Sequence, residues 1–164
     1  MSEAPRPAAD ASPDFVPPWR LRHHHVQSIY PSLPLRRPGV ERRASVLRQA
    51  SREAIVDCGD GVRLLALVAT QADAGRPPTD RLAVLLHGWE GSANSLYLLS
   101  LGQKLFDAGY DVARLNLRDH GESHHLNAGI FHSCRIADVV VAVRDLQRQQ
   151  AGKRRVPAGR SLGG

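Results

Sequence analysis

Residues 159–164 read Gly159-Arg160-Ser161-Leu162-Gly163-Gly164, one serine held between glycines in the pattern G-x-S-x-G. Small residues on both sides permit a sharp strand-to-helix turn that lifts a serine hydroxyl clear of its neighbours. Ser161 is therefore the candidate nucleophile, with Gly159 and Gly163 shaping its turn. A serine so presented attacks a carbonyl carbon and leaves an oxyanion, which fixed N–H donors must meet. One donor is offered by the backbone N–H of Leu162, directly after the serine. The second is offered by Trp89 in the loop His87-Gly88-Trp89-Glu90-Gly91, which follows an apolar run. His87 and Gly88 are read as shaping that loop, His87 by hydrogen bonding and not as a base.

These groups need a rigid frame, and the pattern of the chain suggests one. Ala54 to Asp57 and Val62 to Ala69 are separated by Cys58-Gly59-Asp60-Gly61, and Asp-Gly between β-formers is a strong hairpin signal. Leu82 to Leu86 is apolar at every position, as a parallel strand buried on both faces has to be. Leu98, Leu101 and Leu105 fall at helical spacing behind Asn94 and Ser95, with Gly109 where that helix would stop. A strand from Tyr110 to Leu117 is expected next. Ser133 can cap a second helix, with Ile136, Val139, Val140, Val143 and Leu146 as its apolar stripe. Strand, helix, strand, helix with short connections is the signature of the α/β class.

The flanks are less regular. Met1 to Pro18 reads as a disordered arm, and 19–164 as the folded part. From Trp19 to Ser51 the apolar residues show no period and are interrupted by Pro31, Pro34 and Pro38, so an extended segment wrapping the domain is expected. Ahead of Ser161, Lys153 to Ala158 is an unusual approach for a buried strand, being basic and carrying Pro157.

The sequence has 164 residues, 42% hydrophobic, enough for one core. No apolar run approaches a membrane span and the N-terminus lacks a signal-peptide pattern, so a cytoplasmic protein without a transmembrane segment is expected. Cys58 and Cys134 are too few for a disulfide framework. The formal charge of +6 rests on arginine, and Arg20, Arg22, Arg36, Arg37, Arg42, Arg43, Arg48 and Arg52 share a stretch with only Glu41 and Glu53. With no nucleic-acid motif or aromatic platform beside it, that stretch is read as solvated, and no nucleic-acid partner is expected.

Three motifs in order carry a family resemblance. The His87-to-Ser92 loop, the pair Arg114-Leu115-Asn116-Leu117-Arg118 and Arg118-Asp119-His120-Gly121-Glu122-Ser123, and the elbow at Ser161 resemble the α/β-hydrolase superfamily. With His25-Val26-Gln27-Ser28-Ile29-Tyr30-Pro31 they resemble in particular its AB hydrolase 4 family, from about Pro18 onward. The resemblance implies a partial α/β-hydrolase fold, mostly parallel with an N-terminal antiparallel hairpin and cut at the nucleophile elbow. It also implies a serine carboxylic-ester hydrolase, of esterase or lipase type, acting on small-molecule esters or lipids through an acyl-enzyme and without a cofactor.

In that fold the acid and histidine of the triad follow the serine in the chain. These 164 residues hold neither after Ser161, so they are expected to be an N-terminal fragment, inactive by itself. The rival reading is a non-catalytic remnant or basic interaction module. A zinc site built from His120, His124, His125, His132 and Cys134 is set aside, because their spacing repeats no zinc pattern, and no metal is expected. Trp89 and Tyr97 are candidates for one wall of a substrate pocket. The pattern leaves the oligomeric state open.

Overall fold

Asp60 and Gly61 both hold positive φ, 52° and 75°, the pair of left-handed residues that a tight hairpin turn demands. They join β1 (Ser51–Gly59) to β2 (Val62–Ala69) as antiparallel neighbours, with the register shifting between Asp57 and Gly59. The computed structural model describes residues 16, 18, 19, 22–29, 34–88, 91–129, 136–150 and 154–159, the last stretch as backbone. The expected arm at 1–18 lies almost wholly outside the described residues.

The chain divides into two units, 1–36 and 37–164. In the first, α1 (His24–Ile29) follows His23, and a 3-10 turn spans Pro34–Arg36. The imidazoles of His23, His24 and His25 lie against one another with centroids 4.1–5.2 Å apart. The second unit opens on α2 (Arg37–Arg43) and α3 (Ser45–Ala50). The extended segment expected over 19–51 is thus corrected to short helices. Pro34 and Pro38 start helical turns, where a missing N–H costs nothing, and do not break an extended chain.

The remaining strands are β3 (Arg81–Leu86), β4 (Asp111–Leu115) and β5 (Arg154–Gly159), in the sheet order β1-β2-β4-β3-β5. β4, β3 and β5 are parallel, while β1–β2 and β2–β4 are antiparallel, so the sheet is mixed. β5 forms despite Pro157, which sits opposite Val84.

Helices cover both faces. On one, Ala142 and Leu146 of α5 (Ile136–Gln149) pack on Val56, Leu64, Ala66, Leu82, Val84 and Leu115. On the other, Leu47 of α3 and Leu98 and Phe106 of α4 (Leu96–Asp107) pack on Ala69, Leu85 and Val112. Both helices bury a slightly rotated stripe relative to expectation. Leu99, Gly102 and Phe106 turn inward beside Leu98, while Leu101 is exposed, because Gly102 lets Leu47 approach so closely that a Cβ there would stand 2.9 Å from it. In α5 the small Ala142 faces the sheet and Val140 faces solvent. α4 ends as expected at Gly109, φ 81°, whose N–H donates to Phe106 while Tyr110 N–H donates to Leu105, a paired C-terminal closure. The expected strand over 110–117 is shorter, Asp111–Leu115, although Asn116 N–H still donates to the Leu65 carbonyl at 2.8 Å.

Candidate active site at the ends of the parallel strands

The parallel strands β3 and β5 run in register with Leu86 opposite Gly159. The His87 loop therefore leaves β3 beside Gly159, the last residue of β5, at the same end of the sheet. The chain passes from β3 out to β4 on one side and returns to β5 on the other. That reversal at the carboxyl ends of parallel strands is where open α/β sheets form a binding crevice. Trp89, Ser161, Leu162 and Gly163 lie outside the described residues, as do Glu90 and Arg160; Gly159 is the last residue of β5.

His87 opens the loop and is almost wholly buried. Its Nε2 accepts the Leu117 N–H at 3.0 Å, which assigns the ring proton to Nδ1, and Nδ1–H donates to the Gly88 carbonyl at 2.8 Å. Both nitrogens are thus committed to backbone. Desolvation lowers its pKa, opposed by the Gly88 hydrogen bond and aided by repulsion from His120, whose ring lies 4.9 Å away. A neutral, doubly bonded imidazole has no free nitrogen with which to take a proton.

The rest of the loop is equally committed. Gly88 N–H donates to the Tyr97 hydroxyl at 2.6 Å, so it is not available to an oxyanion. Gly91 N–H donates to the Gly88 carbonyl at 3.1 Å. A Cβ on Gly91 would stand 3.0 Å from both Gly88 O and the Tyr97 hydroxyl, so a side chain there would have to push the loop or the Tyr97 ring aside. Tyr97, a candidate pocket wall from the sequence, is here a hydrogen-bonding post for the loop.

β4 supplies a clamp that the sequence did not reveal as functional. Arg114 Nη1 donates to the Ala93 carbonyl at 2.9 Å, and Asn116 Oδ1 accepts the Ala93 N–H at 2.7 Å. Two side chains two residues apart, one in β4 and one just past its end, thus hold both backbone groups of one loop residue, itself buried. Arg114 Nη2 also donates to Ser51 Oγ at 2.9 Å, and Ser51 Oγ donates to the Leu47 carbonyl at 2.7 Å. The guanidinium is 1% exposed and bonds only neutral oxygens, its Nε being unpartnered. Burial, and then repulsion from Arg48, push its pKa down to about 10, so it remains charged at neutral pH. The signal was present as polar residues at alternate positions inside the otherwise apolar Val112-Ala113-Arg114-Leu115-Asn116.

The loop after β4 packs behind this clamp. Asp119, φ 59°, and Gly121, φ 61°, turn the chain into a 3-10 segment, Gly121–Leu126. A Cβ on Gly121 would meet Asn116 Oδ1 at 2.8 Å, so the glycine leaves room for the clamp. Arg118 donates to Asp138 at 2.7 Å, both groups largely buried, and fastens this loop to the first turn of α5. Asp138 therefore does more than favour the helix dipole. His120 Nδ1 lies 2.8 Å from Arg118 O and His124 Nδ1 2.6 Å from Asp119 Oδ1, while Ser123 donates to His120 O. No group of three or more metal-ligating side chains occurs among the described residues, and His132 and Cys134 lie outside them.

No family model matches the chain, and no curated protein matches it. Solved structures do. An esterase of Pyrococcus furiosus is similar over 69% of this chain and 41% of its own, with a TM-score of 0.59 and 21% identity. A homologue of α/β serine hydrolases from Coxiella burnetii is similar over 68% and 52%, TM-score 0.57, 16% identity. An α/β serine hydrolase without a lid from Xanthomonas campestris is similar over 69% and 51%, TM-score 0.55, 23% identity. The chain has the fold of α/β hydrolases, and spans 41–52% of the length of these structures.

Proposed function

We propose that these residues supply the nucleophile and oxyanion loop of a serine carboxylic-ester hydrolase of the AB hydrolase 4 type. The observation that carries this reading is the parallel register of Leu86 with Gly159, which starts the His87 loop and the G-x-S-x-G turn side by side. Ser161 attacks the ester carbonyl, and the amides of Trp89 and Leu162 receive the oxyanion. His87, Gly88, Gly159 and Gly163 shape the two turns. His87 is supported in that role by its two backbone hydrogen bonds, which also disqualify it as the general base.

In this fold the acid and histidine of the triad come after the serine in the chain, and no residue within these 164 is proposed for either role. Loss of the base alone costs on the order of 10⁶ in turnover in such triads. A polypeptide of these residues alone is accordingly proposed to be inactive. The substrate class is a small-molecule ester or a lipid ester. The test is p-nitrophenyl butyrate hydrolysis by the 164-residue polypeptide and by one continued through the coding sequence that follows. Turnover only in the longer polypeptide supports the reading; turnover in neither, although the longer one folds, removes it.

A further inference from the structure

The outer side of the α2–α3–α4 layer is cationic with exposed apolar side chains set into it. Arg37, Arg42, Arg43 and Arg48 are all exposed, against the single acid Glu41. Glu41 is engaged by Arg37 at 2.8 Å within α2. Arg42, Arg43 and Arg48 have no acidic partner among the described residues. On α4, Lys104 is exposed, and Asp107 is occupied by Arg76 and Gln103. Val46, between Arg43 and Arg48 in the chain, is 39% exposed, and Leu101 on α4 is 41% exposed.

The opposite face also exposes apolar side chains, Ile55 and Val140, and differs in its charge. There Arg63, Arg144 and Arg148 stand among Asp57, Asp60 and Asp145, and Arg148 is paired with Asp145 at 3.1 Å. Among the described side chains, the excess of unpaired positive charge on α2, α3 and α4 is therefore not matched on the α5 side.

We infer that the α2–α3–α4 face docks on an anionic lipid surface. Cations with no partner in the protein are drawn to anionic headgroups, and side chains such as Val46 and Leu101 enter the boundary between headgroup and acyl chain. A nucleic-acid backbone would satisfy the arginines but leave those two apolar side chains uncovered, and the layer presents no aromatic ring among its exposed residues for bases to stack on. The assignment is independent of the proposed hydrolysis.

The test is co-sedimentation of the 164-residue chain with phosphatidylcholine vesicles, with and without 30 mol% phosphatidylserine, at about 0.05 and 0.5 M salt. Each arginine at an anionic surface is worth about fivefold in partitioning, so R42Q/R43Q/R48Q should lower binding to the anionic vesicles about 100-fold. Glutamine sustains helix, so these exposed changes should leave the circular dichroism unaltered. The control R63Q/R144Q/R148Q removes the same charge from the other face and should lower binding less than about fivefold. Equal losses from the two variants would show a net-charge effect and overturn the assignment. So would equal binding to neutral and anionic vesicles, absence of vesicle binding, or tight binding to duplex DNA with none to vesicles.

Discussion

The two faces of the sheet are closed by different chemistry. Beneath α5 the core contact is apolar, Ala142 and Leu146 meeting Val56, Leu64, Leu82, Val84 and Leu115, with the Arg118–Asp138 ion pair at the first turn of the helix. Beneath α3 and α4 the apolar contact of Leu47, Leu98 and Phe106 adjoins a polar seam, in which buried Arg114 and Asn116 reach from β4 to Ala93 and Ser51. An apolar face gains stability from area alone and fixes little about direction. Hydrogen bonds are directional, and a buried group deprived of one is costly, so a polar seam fixes where a loop lies. The face with the seam is the one that carries the His87–Ser95 loop.

The comparison breaks most visibly where the core is deepest. Leu146→Ala should lower unfolding free energy by about 2–5 kcal/mol through loss of burial and the cavity left behind. Read by urea denaturation, it should leave the amide exchange of the loop at its unmutated rate relative to global opening. A loop that loosened with Leu146 would mean that the faces are not separable.

Asn116→Ala should cost less, about 1–3 kcal/mol, because it strands the buried Ala93 N–H. Its signature is local: the Ala93 amide should exchange faster than its neighbours in β3, as hydrogen-exchange mass spectrometry or NMR would report. Uniform loss of protection would assign Asn116 a general role in the core instead of a hold on the loop.

The apolar face and the hairpin were legible because burial on both faces and the Asp60-Gly61 turn leave direct marks in residue type. The seam was less so. Arg114 and Asn116 were noticed as parts of a motif, yet their partner is Ala93, about twenty residues away, and no local pattern announces a bond to the backbone of an alanine. The helices over 37–50 were missed because each is six or seven residues long, too short for a stripe to repeat, and their prolines mark starts that look like breaks. The stripe of α4 was rotated because Gly102, apolar only by the absence of a side chain, sits where Leu47 presses closest. Of the candidate site, sequence spacing put His87 in a loop directly after a buried strand, where the structure has it, while the commitment of its ring to two backbone groups left no mark in residue type; Ser161 lies outside the described residues.

The smallest expected effect is that of pH on the seam side. His87 has its pKa lowered in the folded state, so below about pH 6.5, the ordinary histidine value, the unfolded chain takes up a proton that the folded chain refuses. Its contribution is therefore a loss of stability as pH falls through that value and none above it. Urea midpoints at pH 5 and 7.5 should differ less in His87→Gln than in the unsubstituted chain. An unchanged difference would place the pH dependence elsewhere.

The central claim, that Ser161 is the nucleophile served by the His87 loop, is met most directly by a fluorophosphonate probe and peptide mass spectrometry on the polypeptide continued through its coding sequence. One adduct is expected, on the peptide bearing Ser161, lost in Ser161→Ala and slowed in Asn116→Ala. An adduct on another residue, or ester hydrolysis that survives Ser161→Ala, would contradict it.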